Sequence, residues 1–191
     1  MNILVLYYSR TGKTLELANL IARGIELEDI DASIRTVPPI NDNSQDLEHD
    51  IVTANDLEEC SGLALGSPTR FGTMASPLKY FFEQNAALWH KGALIDKPAC
   101  VFTATGSMHG GQESTLLSMS LPLLHHGMAL IGIPYSVNEL STTNTGGTPY
   151  GASHVSGIYD QNEISQEEHA LCLALGKRLA RHAKLLHSLR G

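Results

Sequence analysis

Ser9-Arg10-Thr11-Gly12-Lys13-Thr14 lies between an apolar run, Ile3–Tyr8, and a helical pattern. A strand that turns through hydroxyl residues and a glycine into a helix makes an anion site. Its unpaired backbone N–H groups and hydroxyls converge, and the helix N-terminus adds positive potential. Gly12-Lys13-Thr14 reads like the end of a triphosphate-binding P-loop. That motif needs a glycine five positions before Gly12, where this chain has Tyr7. The loop is too short to wrap a triphosphate and suits a single terminal phosphate. The plain alternative is an ordinary strand–helix turn.

Two further segments have the same character. In Gly66-Ser67-Pro68-Thr69-Arg70-Phe71-Gly72, proline fixes the backbone and glycines permit close approach. Such a loop can lay N–H groups along the edge of a flat heterocycle, framed by Arg70 and Phe71. Thr103-Ala104-Thr105-Gly106-Ser107-Met108-His109-Gly110-Gly111 again brings backbone close to a ligand, before Gln112 and Glu113 open a helix. Each loop alone reads as a rigid surface turn. Three at three strand ends of one sheet point to a bound ligand.

His125-His126-Gly127 closes that helix. Neighbouring histidines on a helix point about 100° apart, so the pair does not suit one metal ion. One reading is a helix C-terminus with Gly127 as its C′ residue. The other sends one imidazole into the pocket to donate to a ligand oxygen. Trp89, the only tryptophan, is either packing or a pocket wall.

The elements that must position these residues alternate between strand and helix. Ile3–Tyr8, Ser33–Val37, Leu63–Leu65 (closed by Gly66), Ala99–Ala104 and Ala129–Ile133 read as strands. Thr14–Glu26, Asp56–Cys60, Pro77–Asn85 and Gln112–His125 read as helices, the last kinked or interrupted by Pro122. Asn41–Asn55 reads as a polar surface excursion. Asn138–Gln161 lacks any period and reads as a functional loop or lid. Ser165 with Glu168 forms a capping box for a final helix, with Lys184 and Arg190 towards its end. The expectation is α/β: a doubly wound, five-stranded parallel sheet with helices on both faces. Residues 1–191 are expected to form one domain, with a long excursion at about 138–165. Ligands of such sheets bind beyond the carboxyl ends of the strands, where all three loops fall.

Composition narrows the partners. The formal charge of −7 argues against nucleic acid or an anionic membrane. No stretch approaches the ~20 apolar residues that span a bilayer, and no signal peptide is visible, which favours a cytoplasmic location. Cys60, Cys100 and Cys172 are widely spaced and suit reduced thiols better than disulfides or a zinc site; no metal is expected.

The chain resembles the WrbA family of flavodoxin-fold NAD(P)H:quinone oxidoreductases. The matching stretches are Leu6-Tyr7-Tyr8-Ser9 with Gly12, Gly66–Gly72, Leu88-Trp89, Gly92–Leu94, Gly110–Glu113, His125–Met128 and Gly146-Gly147-Thr148-Pro149-Tyr150-Gly151-Ala152. They run in family order from residue 3 to about residue 175. The resemblance implies that Ser9, Arg10, Thr11, Gly12, Lys13 and Thr14 hold the phosphate of FMN. It implies that Pro68, Thr69, Arg70, Phe71 and Gly72, with Ala104, Thr105, Gly106, Ser107, Met108 and His109, surround the isoalloxazine. It places His125 at the flavin as a catalytic hydrogen-bond donor, and Trp89 and Tyr150 at the substrate pocket. It further implies NADH or NADPH as electron donor, a quinone as substrate, and a homotetramer. The implied activity is two-electron, ping-pong transfer through FMN. The alternatives are a flavodoxin-type one-electron carrier and a non-enzymatic FMN-binding regulatory or redox-sensing module.

Overall fold

The computed structural model describes residues 1–40 and 47–188. In chain order it contains β1 (Asn2–Tyr7), α1 (Lys13–Glu26), β2 (Asp31–Thr36), α2 (Ala54–Glu59), β3 (Gly62–Pro68), α3 (Ser76–Gln84) and α4 (Ala86–Lys91). Then follow β4 (Pro98–Thr105), α5 (Gln112–His125), β5 (Ala129–Leu130), α6 (Glu139–Thr142), β6 (Ala152–Val155) and α7 (Gln166–Ser188). Residues 41–46 of the polar excursion and Arg190 lie outside the described residues.

The strands form one parallel sheet in the order β2-β1-β3-β4-β5. This is the parallel, doubly wound arrangement that repeated strand–helix alternation favours. Both faces are covered, which is why β1 is apolar from Ile3 onward rather than alternating. Ile3, Val5 and Tyr7 pack with α1 and α7, while Leu4, Leu6 and Tyr8 pack with α3 and α5.

Among the described residues, the five expected positions of the sheet are filled by six strands. β5 is short and pairs only Pro98 and Ala99 of β4; β6 then pairs Phe102–Thr105 of the same strand. The fifth position of the sheet is thus filled in two pieces, and part of the supposed loop 138–161 is a buried strand. β6 escaped the pattern because it carries Ser153 and His154, polar residues that are nonetheless fully buried. Gly66 does not close β3 either, which continues to Pro68. A Cβ there would lie 2.1 Å from the Phe102 ring, so this glycine admits a neighbouring ring rather than ending a strand. α5 runs uninterrupted through Pro122. The proline sits one turn from the helix end, where its missing N–H removes a single bond. Gly127, at φ +76°, then closes the helix as the C′ residue, with Met128 N–H donating to Leu123 O at 3.1 Å.

α1 and α7 cross backbone to backbone. A Cβ on Gly24 would stand 2.5 Å from Leu173 O, and one on Gly176 would stand 2.2 Å from Ile21 O. Gly176→Ala gains up to about 1 kcal/mol of helix propensity, but it must separate two main chains. Such overpacking costs about 3 kcal/mol. A net loss of about 2 kcal/mol is expected, read as a lower denaturant midpoint with unchanged slope.

Candidate functional site

At the carboxyl edge of the sheet, the loops after β1, β3 and β4 surround a cavity of about 670 Å³. That volume suits a small-molecule ligand.

The first loop is built around Gly12, which holds φ +91° at the N-cap of α1. A glycine has no side chain with which to cap the helix. Its own N–H is taken by Ser9 Oγ at 3.0 Å. Among the described residues, the N–H groups of Arg10, Thr11, Lys13 and Thr14 donate to no protein acceptor, and the hydroxyls of Thr11 and Thr14 are likewise unpaired. Thr11, Lys13 and Thr14 line the cavity. The largely buried Lys13 is steadied by Glu16, 3.1 Å away. Unspent donors at a helix N-terminus fit a phosphate.

The second loop is rigid. Thr69 N–H donates to Ala104 O at 2.9 Å, and Arg70 and Thr73 exchange backbone bonds of 2.8 and 3.1 Å. Thr69 Oγ1 meets the hydroxyls of Thr103 at 3.4 Å and Thr115 at 3.2 Å. This turn projects Phe71 at φ +53°. The Phe71 side chain is fully exposed, so it contributes nothing to the core and is free to cover a ligand. Pro68, Thr69, Arg70 and Phe71 all line the cavity, while Gly72 supplies the turn at φ +78°.

The third loop contributes Ala104, Thr105, Gly106 and Ser107. It is anchored from below by a buried relay. Gly147 N–H donates to Ser153 Oγ at 2.7 Å, Ser153 Oγ to Gln112 Oε1 at 2.6 Å, and Gln112 Nε2 to Met108 O at 2.7 Å. Met108 and His109 themselves are exposed and do not line the cavity; Gly110 does.

Several expected residues lie elsewhere within the chain. α5 starts at the cavity, and its length carries His125 roughly 20 Å away, to the opposite end of the sheet. Trp89 joins it there, donating Nε1–H to His125 O at 2.8 Å. His126 is the buried member of the pair and packs on Phe82, ring centroids 5.8 Å apart. Burial, with the neighbouring His125, lowers the pKa of His126. Tyr150 lines a separate groove beside Leu117, Leu124 and Leu130.

The fourth wall was missed by sequence reasoning. Ser156, Gly157, Ile158 and Asp160, after β6, line the same cavity. The only signal was their place inside an overlong excursion. Glu168 holds this region down. Beyond capping α7 through Ser165, it accepts from Gly146 N–H at 2.7 Å, Val155 N–H at 3.2 Å, His154 Nδ1 at 2.8 Å and the Thr145 hydroxyl. Burial alone would raise its pKa, but the bonds from His154, Thr145 and Ser165 outweigh that and hold it at about 2. Among the described residues there is no cluster suited to a metal ion and no helix long and apolar enough to cross a membrane.

Residues 1–140 match the NADPH-dependent FMN reductase family. An NAD(P)H dehydrogenase (quinone) of Syntrophus aciditrophicus is 36% identical over 91% of this chain and 98% of its own. One from Geotalea daltonii is 35% identical over 94% and 95%. A WrbA-like flavodoxin protein from Agrobacterium tumefaciens superposes with a TM-score of 0.70 at 22% identity, covering 96% of this chain and 98% of that one. A flavodoxin from the domain Archaea gives 0.65 at 19% identity, covering 96% and 99%. These likenesses, together with the phosphate-shaped cradle, make the chain a member of the NADPH-dependent FMN reductase family.

Proposed function

We propose that the protein is an FMN-dependent NAD(P)H:quinone oxidoreductase that works by a ping-pong mechanism. The observation that carries this reading is the set of unspent donors at the α1 N-terminus, facing the gap between two rigid, glycine-containing loops. Bound FMN supplies the two-electron redox chemistry that links a nicotinamide to a quinone. Ser9, Thr11 and Thr14, with the free N–H groups of Arg10, Thr11, Lys13 and Thr14, hold its phosphate. Pro68–Phe71 and Ala104–Ser107 bracket the ring, and Phe71 covers it and excludes water. The donor and the quinone use the same face in turn.

The reading also makes the protein a homotetramer, in which His125 and Trp89 serve the site of a neighbouring copy. Two observations support this. A single chain keeps those residues far from its own cavity. A wide groove also runs on from Phe71, lined by the exposed Tyr80 and Leu121. There His125 donates a hydrogen bond where negative charge develops. His125→Ala is expected to keep FMN bound and slow quinone reduction at least about tenfold, measured in the oxidative half-reaction. Gln112→Ala tests the anchoring of the third loop. It frees the Met108 carbonyl and the Ser153 hydroxyl, so FMN binding is expected to weaken about tenfold. Unfolding free energy should fall by only about 1–2 kcal/mol.

The deciding experiment is anaerobic stopped flow on FMN-loaded protein, with NADH or NADPH and then benzoquinone. Fast bleaching followed by fast two-electron reoxidation supports the reading and identifies the donor. Bleaching only by a one-electron reductant would replace it with an electron carrier. Absence of FMN binding would overturn both.

A further inference from the structure

We propose that Asp160 is a hydroxyl-binding residue of the cavity, accepting hydrogen bonds from the vicinal hydroxyls of a sugar-alcohol or ribose chain. The inference rests on the proposed flavin reading of the site.

The cavity is otherwise cationic or neutral. Arg10, Lys13 and Arg70 line it, and among the described residues Asp160 is the only carboxylate that does. An ionised carboxylate can only accept hydrogen bonds. Asp160 has no side-chain hydrogen bond or ion pair among the described residues, although it is half-buried. A phosphate would repel it. The part of a ligand that lies against it must therefore carry no negative charge and offer donors, and a polyol has that chemistry.

The turn that carries Asp160 is fixed rather than loose. Gly157 holds φ +82° and Asp160 φ +54°, with Asp160 N–H donating to Gly157 O at 3.1 Å. Ser156 N–H donates to Thr105 O at 2.9 Å, which ties the turn directly to the third ligand loop. Asn162 fastens it twice more, through its N–H to Ser156 O and its Nδ2 to Val155 O, both at 2.9 Å. Gly106 lies so close that a Cβ there would stand 3.5 Å from Gly157 O. A non-glycine residue held at positive φ beside a cavity is backbone strain that the surroundings sustain.

Two ligands carry such hydroxyls: FMN in its ribityl chain and the nicotinamide donor in its ribose. The test titrates FMN, riboflavin and lumiflavin, which lacks the ribityl chain, into native protein and Asp160→Gly, followed by flavin fluorescence. Glycine takes the positive φ without strain, so the variant should fold; Asp160→Asn is the second variant. Loss of a charge-assisted bond is expected to weaken FMN and riboflavin about tenfold or more and leave lumiflavin unchanged. Unchanged flavin binding, with NAD+ or NADP+ binding to the FMN-loaded protein weakened about tenfold, assigns the hydroxyls to the ribose instead. Unchanged binding of every ligand overturns the proposal. So does tighter FMN with unchanged riboflavin, which would put the carboxylate against the phosphate. If the native protein binds no flavin at all, the functional reading itself fails.

Discussion

Glu168→Ala is expected to lower the unfolding free energy by about 3–5 kcal/mol, the cost of stranding buried partners of a lost charge. The side chain is fully buried and satisfies His154 Nδ1, the Thr145 hydroxyl and three backbone N–H groups. Truncation leaves all of them without an acceptor except Gly146 N–H, which keeps the Thr145 hydroxyl. His154 Nε2 already lacks a partner, so its ring would then have none at either nitrogen. The same residue sets an acid limb. Its folded pKa of about 2 lies below the ordinary 4.5. Its stabilisation is therefore fully present above about pH 5 and disappears as pH falls towards 2. At 1.36 kcal/mol per pKa unit, about 3 kcal/mol is lost across that window. Denaturant titrations at a series of pH values would show this. Glu168→Gln should flatten the curve between pH 5 and 3, and an unaltered acid limb in that variant would exclude Glu168 as its source.

Gly12→Val should abolish useful FMN affinity, with a loss of at least about a hundredfold. Valine at φ +91° is strained by about 1–2 kcal/mol, and relieving the strain turns the first N–H groups of α1 away from their common focus. Among the described residues, its two chain neighbours aside, no protein atom lies within 4 Å of the position its Cβ would take, so the penalty does not come from packing. It falls on the anion cradle. Losing two charge-assisted hydrogen bonds, each worth about 1.5–3 kcal/mol, already exceeds a hundredfold. Equilibrium titration with FMN and riboflavin gives the contrast, because only the phosphate-bearing ligand should lose most of its affinity. Equal losses for both would move the phosphate away from this loop.

Much of the architecture was legible because doubly covered strands are apolar along their whole length. Ile3–Tyr8 and Ala99–Ala104 announced themselves in this way, and the glycine-containing loops after them marked the carboxyl edge of the sheet. β6 was not legible, since Ser153 and His154 are buried by virtue of partners far away in sequence, Gln112 and Glu168. For the same reason Glu168 read as a helix cap and nothing more. The fourth wall of the cavity was hidden because Asp160 acquires its place through bonds that Ser156 and Asn162 make to neighbouring backbone, which no periodicity encodes. The spacing of His125 and Trp89 gave no hint that they meet each other rather than the loops.

The crossing at Gly24 and Gly176 has a consequence for biosynthesis. The ribosome delivers α1 early and α7 late, yet Leu17, Ile21 and Ile25 are sealed by Leu171, Leu175 and Leu179. At roughly 5–20 residues per second, that apolar side stays uncovered for about ten to thirty seconds of elongation. The nascent chain therefore carries an exposed sticky face until its last helix emerges, and chaperone occupancy during translation should end when residues 166–188 dock.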